Sequence, residues 1–192
     1  MASESTHGLE LPGGRRLSYA TYGATDGPVV VVLDGPGSRG LARAAAEAAA
    51  EHGIRLVAAD RPGFFGSTPV AGRQIVDWVA DHAALLDALG ADRAGILAQS
   101  GGTPYALAVA QALPQRTTAL AFTGPVAPLD EPGALGEAGR QFRSGIKLAR
   151  RAPWLLRFML RTLARKAARD PEKVAMNSVP TRAPPCGPAC AA

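Results

Sequence analysis

Around Ser100 the character of the chain changes within a few residues. The apolar run Gly95-Ile96-Leu97-Ala98 reads as a buried strand and breaks at Gln99-Ser100-Gly101-Gly102. Apolar residues at Tyr105, Leu107, Ala108 and Leu113 then resume with the spacing of a helix. A serine between strand and helix, with glycine on its far side, is the pattern of a nucleophile elbow. Such a turn is sharp enough to strain its central residue, to require very small neighbours, and to stand the hydroxyl above the sheet. The usual spelling is Gly-x-Ser-x-Gly; here Ala98 takes the first glycine's place. An ordinary strand-to-helix loop could carry the same residues, so the rest of the chain has to decide.

The 192 residues suit one domain with a sizeable core, and 47% apolar with 19% charged residues is the balance of a globular protein. The net charge of +5 brings no interleaving of basic and aromatic residues, so nucleic acid is not expected as a partner. Cys186 and Cys190 lie in a proline-rich tail without a ligand cluster, which gives neither a disulfide framework nor a metal site. The first residues lack a basic, then apolar, leader, and no apolar stretch reaches membrane-spanning length. The expected compartment is the cytoplasm.

In order, residues 8–11, a Pro12-Gly13-Gly14 turn and residues 16–23 predict an antiparallel hairpin. Val29-Val30-Val31-Val32-Leu33 reads as a central strand covered on both faces. After Asp34-Gly35-Pro36-Gly37-Ser38, an alanine-rich helix is expected over residues 40–51 and a buried strand over 54–59. That strand ends in Asp60-Arg61-Pro62-Gly63-Phe64-Phe65-Gly66-Ser67. Residues 73–89 predict a helix with Ile75, Val79, His82, Leu86 and Leu89 on one face, stopped by Gly90, and residues 118–123 one more strand. A hairpin followed by alternating strand and helix makes a doubly wound, mostly parallel sheet the economical α/β architecture. Its sites lie beyond the carboxyl ends of the strands, where the loops at Asp34, Asp60, Ser100 and Thr123 emerge.

Taken together, Gly35-Pro36-Gly37-Ser38, Asp60-Arg61-Pro62-Gly63 with Gly66-Ser67, and the Ser100 elbow resemble the α/β-hydrolase family over about residues 8–125. The likeness is to members spelled His-Gly-x-Pro-Gly, Asp-Arg-Pro-Gly-x-Gly-x-Ser and Gly-x-Ser-x-Gly, among them proline iminopeptidase-like enzymes and esterases. It implies a hydrolase that needs no cofactor and acts on an ester, amide or similar acyl bond of a small molecule, with Ser100 as nucleophile. The resemblance puts one oxyanion donor on the Gly101 N–H. An ungapped alignment puts the second on Gly35, with Leu33-Asp34 in place of His-Gly. Aligning by the glycine would place it on Pro36, which has no N–H to give. Asp34 itself can be read more simply as a cap on the following turn.

The resemblance also implies an acid and then a histidine after the serine. The only histidines are His7, His52 and His82, all before Ser100. His82, nine residues down the predicted helix, would lie on the order of 14 Å below its start, at about 1.5 Å per residue, and reads as a packed core residue. Asp130, or Glu131, stands where some family members carry the acid.

Residues 129–175 resemble the start of a helical cap, with Pro153 opening a helix that carries Trp154, Leu155 and Phe158. Trp154 and Phe158 are expected to roof a substrate pocket, and Arg157, Arg161 and Arg165 to face solvent; the alternative, a basic amphipathic helix on a membrane surface, is the lesser reading. The expected division is a core at 1–128, the cap segment at 129–175 and a proline-rich disordered tail at 176–192. No later strands are visible, so a truncated hydrolase with impaired activity is expected. The alternative is an inactive fragment that binds or assembles, self-associating through the open edge of its last strand.

Overall fold

In the computed structural model the described residues are 4–35, 37–126, 128 and 140–170. The chain divides into two units, residues 1–127 and 128–192.

The first unit is built on a six-stranded sheet of order β1-β2-β4-β3-β5-β6. The strands are β1 Ser5–Leu11, β2 Arg15–Gly23, β3 Val29–Asp34, β4 Arg55–Ala59, β5 Ala94–Gln99 and β6 Thr117–Thr123. β1, β2 and β4 pair antiparallel, while β4, β3, β5 and β6 run parallel. The valine run forms β3 at the centre, where Val31, Val32 and Leu33 are fully buried, as expected of a strand covered on both faces.

Helices α1 (Arg39–Ala44) and α2 (Ala46–Glu51) pack Ala42, Ala46 and Ala49 on one face of the sheet, against Val32 and Ala58. Helices α3 (Trp78–Ala88) and α4 (Thr103–Ala112) cover the other face, with Trp78, Leu85, Leu86, Ala106 and Val109 over Leu33, Val57 and Ile96. The chain therefore leaves β3 toward one face and β5 toward the other. Strand order reverses between these two neighbours, which opens a crevice at their carboxyl ends.

Two helical expectations are corrected. The alanine-rich segment is two short helices broken at Ala45, for which nothing in the surrounding packing supplies a reason. The next helix begins at Trp78 rather than near residue 73, because Gln74 and Asp77 cap a 3-10 turn over Ile75–Asp77, with the Gln74 N–H donating to Asp77 Oδ2 at 2.7 Å. Ile75, expected on the buried face, is 41% exposed.

The second unit contains α5 (Arg140–Arg151) and α6 (Pro153–Arg169), with Pro153 in the first turn of α6. Among the described residues no helix is long and apolar enough to cross a membrane.

Candidate active site

The bend at Ser100 is tight. β5 ends at Gln99, one 3-10 turn covers Ser100–Gly102, and α4 follows at once. Ser100 has φ 47°, in the left-handed region that disfavours a side chain, and it is exposed. The two glycines after it are required by close approach. A Cβ at Gly102 would collide with the carbonyl of Leu33, and one at Gly101 would lie 3.1 Å from Gly35 Cα. Ala98 is fully buried, so its methyl is accommodated where the usual spelling has glycine. The turn is held by Thr103, whose hydroxyl donates to Ser100 O at 2.8 Å.

The loop after β3 lies beside this bend. A Cβ built on Gly35 would stand 3.2 Å from the Gly101 nitrogen and 3.8 Å from Ser100 Oγ. Gly35, Gly101 and the hydroxyl therefore meet in the crevice between β3 and β5. The Gly35 N–H is already engaged, donating to Asp34 Oδ1 at 2.6 Å. The same loop is tied from two sides: Ser38 Oγ accepts from Asp34 N at 3.3 Å and donates to Ala59 O at 3.0 Å. Arg61 Nη2 donates to the carbonyls of Asp34 and Gly35 at 2.8 and 2.5 Å.

The three histidines are placed elsewhere. His7 stacks on Tyr19 in the outer hairpin, with ring centroids 5.0 Å apart, and shares a hydrogen bond with Thr21 Oγ1. His52 follows α2 and bonds Ala48 O at 2.8 Å. His82 lies four residues into α3, not nine into a longer helix, and is buried with no partner for either ring nitrogen among the described residues. Burial, reinforced by the charge of Arg116, lowers its pKa to about 4. Arg116 binds the carbonyls of Ala91 and Asp92, before β5 begins, whereas Ser100 follows its end. Among the described residues His82 makes no hydrogen bond to Ser100. Asp130 lies outside the described residues. Trp154 and Phe158 are 71% and 65% exposed on α6, where they flank a shallow hollow with Arg157 and Arg161.

No motif or spacing marks Arg61, Tyr105 and Arg73 as site residues: Arg61 stands inside Asp60-Arg61-Pro62-Gly63, and only the folded chain shows it fastening the loop beside Ser100.

The sequence profile of the α/β-hydrolase fold matches residues 27–175, which cover both the crevice and α6. The chain belongs to the α/β-hydrolase family. Solved structures agree. The epoxide hydrolase CorEH is 25% identical with a TM-score of 0.60, over 68% of this chain and 46% of that one. An α/β-hydrolase fold protein from Nakamurella multipartita is 28% identical with a TM-score of 0.54, over 78% and 53%. The haloalkane dehalogenase DatA from Agrobacterium tumefaciens C58 is 27% identical with a TM-score of 0.55, over 65% and 42%. The chain thus spans about half the length of these structures, or less. No curated protein matches it by sequence.

Proposed function

We propose that Ser100 is the nucleophile of an acyl-transfer site, acting on an ester or amide bond of a small molecule, and that the chain by itself turns over slowly or not at all. The observation that carries the reading is the strained, exposed serine at φ 47° beside two backbone segments that lack side chains. A strained residue of this kind is retained where its geometry is used. Similar proteins include an epoxide hydrolase and a haloalkane dehalogenase. A neutral hydroxyl is a weak nucleophile for such carbon centres, whereas an acyl carbon accepts it once a base removes its proton. The Gly101 N–H is a donor for the oxyanion that would form, and the Gly35 N–H, bonded to Asp34 Oδ1, joins it only when that bond opens.

Among the described residues no histidine bonds Ser100, so the reading is tested by supplying the base. With p-nitrophenyl acetate alone, steady turnover is expected to be undetectable. With imidazole added, the Ser100 proton passes to imidazole, Oγ bonds to the acetyl carbon, and p-nitrophenolate leaves. Peptide mapping by mass spectrometry should then find acetyl on Ser100 and none in Ser100→Ala. Equal labelling at other residues with Ser100 unmodified would end the proposal.

A second reading, assembly, is favoured by β6. Among the described residues it pairs only with β5; it carries no charged residue and leaves Phe122 40% exposed. Such an edge invites a further strand from another chain. Size-exclusion chromatography with light scattering should show mass rising with concentration; a monomer at every concentration would exclude pairing of this kind.

A further inference from the structure

A cavity of about 210 Å³ in the first unit is lined by residues that include Arg61, Phe64, Val70, Arg73, Trp78 and Tyr105. Its wall is partly aromatic, and it carries two guanidinium groups. We propose that this cavity binds an organic monocarboxylate, with the carboxylate on Arg61 and Arg73 and the apolar body against Phe64, Tyr105 and Val70.

Arg61 is held for this purpose. Its guanidinium lies over the Tyr105 ring at 4.3 Å and near the Phe64 ring at 5.4 Å, and Nη2 is anchored by the carbonyls of Asp34 and Gly35. No carboxylate pairs with it among the described residues, and Nε and Nη1 have no hydrogen-bond partner there. A planar group fixed on one nitrogen keeps the rest of its donor fork in place, and such a fork suits a carboxylate.

Arg73 is fixed differently. It pairs with Asp81 and donates to Asp77 O at 2.7 Å. Asp81 is itself 1% exposed and shared with Arg15 at 2.8 Å, so one carboxylate answers two arginines. The side chains of Arg15, Arg61, Arg73, Asp77 and Asp81 together keep a net positive charge around the cavity. The mixture of rigid cations and aromatic wall selects an anion with an apolar body over a small hydrated ion.

The test is binding to the full chain, with benzoate as probe and benzamide as its neutral counterpart, followed by calorimetry and by amide NMR shifts. Benzoate should bind saturably and benzamide roughly tenfold or more weakly, because a charge-assisted contact is lost. Arg61→Gln and Arg73→Gln should each weaken benzoate by about tenfold. Val70→Trp, which fills the cavity and leaves both guanidiniums, should abolish binding while circular dichroism stays native. Arg157→Gln, on α6, should leave affinity unchanged. Ser100→Ala should bind benzoate as the parent does, so failure at the serine would not touch this result. The proposal is overturned by the absence of saturable binding, by equal affinity for benzamide, by a folded Val70→Trp that still binds, or by an Arg157→Gln loss matching that of Arg61→Gln.

Discussion

Ser100 and Phe65 are the two non-glycine residues at positive φ among the described residues, 47° and 46°. Each of them costs roughly 1 kcal/mol or more in backbone strain. In the resembling spelling Asp-Arg-Pro-Gly-x-Gly-x-Ser, the second glycine falls on Phe65, so a phenylalanine stands where a residue without a side chain is usual. The Arg39 guanidinium 4.7 Å from its ring offsets part of that strain. At Ser100 the strain presents the hydroxyl, but the neighbouring Asp34 works against it. Its carboxylate occupies the Gly35 N–H and places a negative charge where an oxyanion would have to form. Asp34→Ala is therefore expected to speed imidazole-assisted acetylation of Ser100 by roughly tenfold or more, since a single oxyanion donor is worth at least that. An unchanged or slower rate would show that the Gly35 N–H takes no part.

The elements were legible wherever burial alone dictates them. Val29 to Leu33 reads as a covered strand, and the Pro12-Gly13-Gly14 turn between two short segments reads as a hairpin. The start of α3 was not legible, because it depends on the reciprocal caps of Gln74 and Asp77 rather than on a hydrophobic period. The elbow was readable because its chemistry is confined to consecutive residues. What surrounds it was not. The loop after β4 is held by contacts between residues far apart in the chain: Arg39 donates to Asp60 at 2.7 Å and to Ser18 Oγ at 3.0 Å, and Ser67 Oγ donates to Asp60 O at 2.5 Å. Asp60 is fully buried, so that pairing is obligatory, yet its partners on β2 and α1 could be found only by folding the chain. The same holds for Arg61, whose placement on the Gly35 carbonyl depends on β4 and β3 lying side by side.

For the molecule as a whole, one buried side chain adds a dependence of stability on acid. His82 is 1% exposed, with both ring nitrogens unpartnered among the described residues, and its pKa falls to about 4 chiefly through burial, with Arg116 adding repulsion. In the unfolded chain the same ring titrates near 6.5. Between these values the unfolded state binds a proton that the folded state refuses, so stability falls as pH falls, by about 1.4 kcal/mol per pH unit. The full loss, on the order of 3 kcal/mol, is reached below about pH 4, and above about pH 6.5 the contribution is flat. A loss of that size is a large share of the 5–15 kcal/mol typical of folded domains. Carboxylates protonating in the same range add their own slope, so the measurement has to be a difference. Urea unfolding of the parent and of His82→Leu, taken from pH 7.5 down to pH 4, should show the two stabilities diverging steadily below about pH 6.5, with the variant the more stable. Parallel profiles would mean that His82 reaches water or an acceptor in solution, and that the apolar packing of α3 over the sheet is looser than the structure describes.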